Sequence, residues 1–330
     1  MILSGISSRQ PKREVWTPER LRHEQAIALG HAIDTTTWRN YSSALNSYLE
    51  FVKNHHLPVE PTPQTLSFYT VYLSHFIKPG SVDTYLSGIC QQLEPLFPDV
   101  RLNRKTPLVR RSLDGCKRMR AIPTNRKRAL TIDNLNTIIH YYATSDDHDD
   151  LLFTCVILIG FFALMRLGEL AYPDSKTSQN PNKISKRTSV QIHPDFFQFF
   201  LPSHKADRFF EGNIIMLPKV TPNAINLFYH FAKYINSRDD SFPYSSPLWL
   251  RKDGSILTRS FMIRRLRLFF ANDVGGQSLR AGGATALAEN GTAPSLIQAS
   301  GRWSSEAFRI YVRKNPVMIQ ALLHAHNTTD

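Results

Sequence analysis

Apolar residues divide this chain into two textures. From Pro18 to about Arg120 they return every three or four positions, the period of helices with one buried face. Trp38, Tyr41, Leu45, Tyr48 and Phe51 form one such series, with a cap expected among Thr35 to Thr37. Leu66, Tyr69, Tyr72 and Leu73 form a second after Pro63. Val82, Tyr85, Leu86 and Ile89 form a third, with Ser81 as its expected cap. Another helix is expected over Leu108 to Met119, and Thr17-Pro18 gives the opening helix a cap and first-turn pair. Four or five helices with short Pro- or Gly-marked connections make a small helical domain.

The texture changes after Ala121 to Arg128, a stretch with Pro123, polar residues and a basic cluster but little periodicity, as in a linker. Thr131 is the expected cap of a helix reaching Tyr142. The apolar run Leu151 to Met165 predicts a buried helix from about Asp149 to Leu164. Fifteen residues rise only about 22 Å as a helix, short of a ~30 Å hydrocarbon core, so the run is no membrane span. Ser189 to Ile192, Phe196 to Leu201 and Asn213 to Leu217 predict a small antiparallel sheet. Helices are expected again over Pro222 to Ile235 and Arg259 to Phe270. The stretch from Gln277 to His326 also reads as helical, broken at Asn290-Gly291, Gly301 and Pro316. The expected fold is therefore mainly α with a small antiparallel β-sheet. Residues 1–17 are a basic arm, 18–120 a helical domain, 121–128 a basic linker and 129–330 a second domain.

Charge sharpens this picture. Of 330 residues, 40 are Lys or Arg against 27 Asp or Glu, a net +13. Most of the excess lies between Arg101 and Leu130, where eleven basic residues face one acid, Asp114. They are Arg101, Arg104, Lys105, Arg110, Arg111, Lys117, Arg118, Arg120, Arg126, Lys127 and Arg128. A second group comprises Arg259, Arg264, Arg265 and Arg267. Concentrated charge repels itself unless a polyanion neutralises it, and nucleic acid is the usual one; a solvated face or a nuclear-import signal is the alternative. The three cysteines form no CxxC pair, which fits a reducing compartment, and the N-terminus has no apolar stretch of the kind a signal peptide needs.

Three short motifs carry the chemistry. Arg166 follows the apolar run in Ala163-Leu164-Met165-Arg166-Leu167-Gly168-Glu169-Leu170, with Glu169 one helical turn on. Taken alone, such an arginine reads first as one that eases the C-terminal dipole of a core helix. Gln277-Ser278-Leu279-Arg280-Ala281-Gly282-Gly283 follows. Tyr311 comes 31 residues after Arg280, preceded by Gly301-Arg302-Trp303-Ser304. In order and distance these motifs resemble the signature boxes of the tyrosine recombinases, the phage-integrase superfamily. The resemblance covers roughly 130–326 by motif and 20–120 only by helical texture. It implies a core-binding domain followed by a catalytic domain. Arg166 and Arg280 would hold a scissile phosphate, Glu169 would buttress Arg166, and Tyr311 would be the nucleophile. It also implies a lysine on a β-hairpin. Lys205, in Leu201-Pro202-Ser203-His204-Lys205-Ala206-Asp207, is the candidate over Lys183, Lys186 and Lys219, in a setting similar to that in recombinases of eukaryotic mobile elements (Crypton- and DIRS-like).

Such residues suit phosphodiester transfer. Guanidiniums stay charged and pair with phosphate oxygens through two hydrogen bonds, and preorganised donors of this kind contribute about 3–4 kcal/mol each. A phenol with a pKa near ~10 needs its anion stabilised, and a positioned ammonium can protonate the departing 5′ oxygen. The implied product is a 3′-phosphotyrosine and a free 5′ hydroxyl, formed without nucleotide or metal cofactor. Two positions depart from the family's pattern. Gln277 stands where a histidine or lysine is usual, and an amide cannot serve as a base. Arg302 stands nine residues before Tyr311 where His or Trp is usual, with Trp303 beside it. Arg302 could add a third clamp, or Trp303 could pack over the site. The implied partners are double-stranded DNA and further copies of the chain, as a tetramer in a synapse. Residence is expected in the nucleus of a eukaryote, otherwise the cytoplasm. The competing readings are a catalytically inactive DNA-binding descendant and a type IB topoisomerase-like enzyme.

Overall fold

The structure is a computed structural model that describes residues 13–120, 126–203, 207, 211–221 and 225–303. It divides into two compact units, Met1–Thr124 and Asn125–Asp330.

The first unit is built from α1 (Pro18–His31), α2 (Thr35–Asn54), α3 (Pro63–Leu73), α4 (Pro79–Leu93), α5 (Val100–Lys105) and α6 (Pro107–Met119). Prolines open α1, α3, α4 and α6, where the missing N–H would have had no helical partner. Thr17 caps α1 by accepting from the Arg20 amide. Two expected caps move. Asp34, not a residue among Thr35 to Thr37, caps α2, its carboxylate accepting from the Thr36 amide at 2.9 Å. Helix α4 starts at Pro79, ahead of Ser81, because proline fits the first helical position. The core of this unit gathers Tyr48, Phe51, Val52, Leu66, Tyr69, Val82, Leu86 and Ile89 from α2, α3 and α4, with Val109 and Leu113 from α6.

The second unit opens with α7 (Ile132–Tyr141), α8 (His148–Phe162) and the single turn α9 (Leu167–Leu170). Thr131 and Asn134 cap α7 reciprocally, and Asp147 caps α8. Nearly every residue of α8 is buried, so it runs through the middle of the core. Three short 3₁₀ turns lead to β1 (Gln191–Ile192), β2 (Phe196–Leu201) and β3 (Asn213–Pro218), an antiparallel sheet in that order. Phe199 pairs with Ile215 and Phe197 with Leu217, so the inward residues of both strands coincide. β1 is shorter than expected because Arg187–Ser189 is a 3₁₀ turn. Helices α10 (Leu227–Ser241), α11 (Arg259–Phe269), α12 (Gly276–Glu289) and α13 (Pro294–Ser300) complete the described part. The helix expected from Pro222 starts at Leu227, where the Asn226 side chain accepts from the Tyr229 amide. Mainly helical with one small antiparallel sheet, the chain has the expected fold class. Among the described residues no helix is long and apolar enough to cross a membrane.

Candidate active site

Three helix ends meet in the second unit, and their geometry follows from how each helix stops. α8 ends on Ala163, after which Leu164 takes the left-handed conformation (φ 50°). The Met165 amide then reaches back to Gly160 O (2.9 Å) and the Leu164 amide to Phe161 O (3.2 Å). α13 ends the same way. Arg302 is left-handed (φ 54°), the Trp303 amide reaches Gln298 O (3.2 Å) and the Arg302 amide reaches Ala299 O (2.9 Å). This pair of bonds is the Schellman ending, whose left-handed position normally holds glycine, as Gly291 does after α12 (φ 75°). A leucine and an arginine there each cost about 1–2 kcal/mol, and strain of this kind gathers at functional sites.

The endings aim four side chains at one region. Arg166 Nη1 donates to Glu169 Oε1 (2.8 Å), and Glu169 Oε2 accepts from the Arg166 amide (2.9 Å), closing a capping box around α9. The same Oε2 accepts from Arg302 Nη2 (3.0 Å). One carboxylate with a side chain only 5% exposed thus holds two guanidiniums from residues 136 positions apart, with side chains 22% (Arg166) and 12% (Arg302) exposed. Burial pulls the Arg302 pKa below the usual arginine value; Glu169 opposes that shift and the neighbouring Arg166 charge adds to it.

Arg280, on α12, is seated behind them and is 1% exposed. Its Nη1 donates to Leu164 O (2.7 Å), its Nη2 to Gly301 O, and its guanidinium lies 4.2 Å from the centre of the Trp303 ring. Arg302 Nη1 also reaches Ala163 O (3.4 Å). The carbonyls at the end of α8 therefore receive Arg280 and Arg302, while the Arg166 side chain donates to Glu169. Easing the α8 dipole is thus the work of the other two arginines, not of Arg166.

Glycines make this approach possible. A Cβ on Gly282 would overlap Leu130 O, and one on Gly283 would overlap Phe161 O, so α12 lies backbone to backbone against neighbouring segments. A Cβ on Gly301 would overlap the Trp303 ring. Gly276 sits against Leu167, its Cβ position 2.8 Å from Leu167 Cβ, which brings the start of α12 to α9. Gln277 lies in that first turn with its side chain exposed.

Arg166, Glu169, Arg280, Arg302 and Trp303 are thereby brought together. Lys205 and Tyr311 lie outside the described residues, as does residues 304–330 as a whole. Just after Lys205, the Asp207 carboxylate accepts from the Glu211 (3.1 Å) and Gly212 (2.9 Å) amides, closing the turn into β3. Of the competitors to Lys205, Lys219 covers the Phe228 ring at 4.4 Å, Lys186 is exposed, and Lys183 lines a small cavity with Gly168 and Glu169. Among the described residues no cluster of His, Cys, Asp or Glu has a metal-binding arrangement.

The basic residues of 101–128 are of two kinds. Arg101 is paired with Glu94 (2.6 Å), Arg104 with Asp83 (2.9 Å) and Arg128 with Asp273 (2.8 Å), while Lys127 donates to Asn272 O and Arg120 to His75. Lys105, Arg110, Arg111, Lys117, Arg118 and Arg126 have exposed side chains. Four of these form one face of α6, opposite the buried Val109, Leu113 and Cys116. In the second basic group, Arg265 is enclosed by Asp150 and the Tyr142, Phe153 and Phe261 rings, and Arg267 donates to Ala271 O and Val274 O. Local acids and carbonyls therefore take up part of the charge that the sequence suggested a polyanion would neutralise.

No protein-family model and no curated protein sequence matches the chain. Solved structures do. The chain is similar to XerH site-specific recombinase in a post-cleavage complex with palindromic difH substrate (TM-score 0.60, 15% identity, 88% of this chain and 79% of that one). It is also similar to a lambda integrase (75–356) dimer bound to a COC′ core site (TM-score 0.55, 15% identity, 89% and 94%). The Tn1549 transposon integrase (residues 82–397) with circular intermediate DNA gives a TM-score of 0.55 at 12% identity, over 93% and 98%. Identities this low establish a shared fold, that of the integrases and site-specific recombinases.

Proposed function

We propose that this chain is a tyrosine recombinase that cuts and rejoins double-stranded DNA through a 3′-phosphotyrosine at Tyr311. The observation that carries the reading is the convergence of Arg166, Arg302 and Arg280 around Glu169 and the end of α8, from three separate stretches of sequence. Ordinary packing gives no reason to gather two guanidiniums on one carboxylate with a third buried behind them, and the surplus positive charge suits a phosphate. A phosphate at this site would meet Arg166 and Arg302, the two partly exposed groups, within the field of the buried Arg280. The similarity to recombinases and integrases solved on DNA supports the same class of reaction.

In the proposed reaction the Tyr311 oxygen attacks phosphorus, the bond to the 5′ oxygen breaks, and Lys205 protonates the leaving oxygen. Gln277, exposed on the first turn of α12, donates to a phosphate oxygen and leaves the phenolic proton to another acceptor. The 5′ hydroxyl of a partner strand reverses the chemistry, so several copies assemble on DNA, a tetramer for exchange between two sites. As finer proposals, the chain is related to Crypton- and DIRS-like recombinases, a reading supported by the sequence around Lys205, and resides in a nucleus.

A nicked duplex traps the intermediate because the short 5′ fragment diffuses away. Incubation with the full chain is expected to give a covalent protein–DNA band on a denaturing gel, absent for Tyr311→Phe while DNA binding persists. Binding without any band from the parent protein would favour the catalytically inactive descendant, and a band persisting in Tyr311→Phe would assign the nucleophile elsewhere.

A further inference from the structure

Arg259 opens α11, next to Thr258 at the cap position. A cation in the first turn of a helix opposes the helix dipole, so local stability does not explain its presence. Among the described residues it has no ion-pair partner, and its side chain is exposed. The Asp174 carboxylate accepts from the Ser260 amide, one residue on, at 3.2 Å. The backbone around Arg259 is nonetheless firmly placed. Its amide donates to Tyr172 O (2.9 Å), and the Tyr172 amide donates to Leu257 O (2.8 Å), which ties the exit of α9 to the start of α11.

That tie lays the guanidinium across α9. At Gly168 the position a Cβ would occupy is 3.2 Å from Arg259 Cζ and 3.5 Å from Nε, with Nη2 closer still. Gly168 is two residues from Arg166 and adjacent to Glu169, whose carboxylate holds Arg166 and Arg302. An unneutralised, exposed guanidinium thus rests on the same turn as the candidate phosphate clamp, and a glycine keeps the space open for it.

We infer that Arg259 is a second phosphate-binding residue of this site, one that grips a backbone phosphate next to the one held by Arg166. The inference rests on the DNA strand-transfer reading for the identity of the polyanion. A guanidinium fork donates two parallel hydrogen bonds to a phosphate, and a charge held one helical turn from the clamp fixes the strand's register without reading its sequence.

The test measures duplex DNA binding by the full chain over a series of salt concentrations, on several unrelated sequences. Arg259→Ala is expected to weaken binding roughly tenfold on every sequence and to lower the slope of log K against log salt by about 0.9, one phosphate contact. Gly168→Ala retains the charge but pushes the guanidinium off α9, and is expected to give a similar loss. Arg259→Lys should keep most of the slope, since the charge remains. Unchanged affinity and slope in Arg259→Ala would overturn the inference. So would a loss confined to one sequence with the slope intact, which marks a base contact, or a Gly168→Ala protein that binds like the parent. The nicked-duplex assay separates this from the proposed reaction. An adduct with an inert Arg259 defeats this inference alone, and a salt-slope change without any adduct defeats the reaction alone.

Discussion

Glu169 has 5% of its side chain exposed, and two guanidiniums lie within 3.0 Å of its oxygens. Removing its charge leaves Arg166 and Arg302 without the carboxylate they share. Glu169→Gln is therefore expected to cost about 2 kcal/mol of stability, less than for a fully buried pair because both arginines keep some water contact. Thermal unfolding reads this as a lower midpoint, and inorganic phosphate or sulfate should recover more of it in the variant than in the parent. An unchanged midpoint would mean that the carboxylate does not hold the site together. At this scale the sequence was partly legible. The i, i+3 spacing of Arg166 and Glu169 points to their contact, because one turn of helix brings such residues together. The Glu169–Arg302 pair spans 133 residues, and no local spacing encodes it. Arg259 was visible as charge, but only the absent side chain of Gly168 shows where that charge rests.

Helix ends, more than helix bodies, arrange these groups. α8 and α13 stop in Schellman endings with Leu164 and Arg302 in the left-handed position, and the carbonyls released there receive Arg280 and Arg302. α12 closes the arrangement through its Gly282-Gly283 pair. Gly282→Ala places a methyl on Leu130 O, backbone that cannot swing aside, and is expected to destabilise the second unit by about 2–3 kcal/mol. The check is chemical denaturation, and a wild-type midpoint would show that α12 can retreat without penalty. The bodies of these helices followed from three- and four-residue periodicity and the strands from alternation, since burial on one face imposes both. Starts were harder to place. Asp34 takes the cap ahead of Thr35, Pro79 precedes Ser81, and Asn226 delays α10, because several polar residues and prolines compete to begin a helix and packing selects among them.

Across the whole molecule the +13 charge is sorted rather than spread. Arg101, Arg104, Arg128 and Arg265 are neutralised by carboxylates of their own units, so a count of basic residues overstates what remains for a polyanion. The exposed face of α6, with Arg110, Arg111, Lys117 and Arg118, is the part the proposed DNA contact would use. Replacing all four with alanine is expected to flatten the salt dependence of DNA binding by about 0.9 per lost phosphate contact, equally on all sequences. An unchanged slope would place the DNA elsewhere on the first unit. The strand-cleavage reading itself turns on which atom becomes bonded to DNA. The most direct measurement is peptide mapping of the covalent adduct from a nicked duplex, with identification of the attached DNA end. A peptide modified at Tyr311 through a 3′ phosphate, with the other strand end a free 5′ hydroxyl, is the predicted result. Attachment through a 5′ phosphate, or at a residue other than Tyr311, would contradict it.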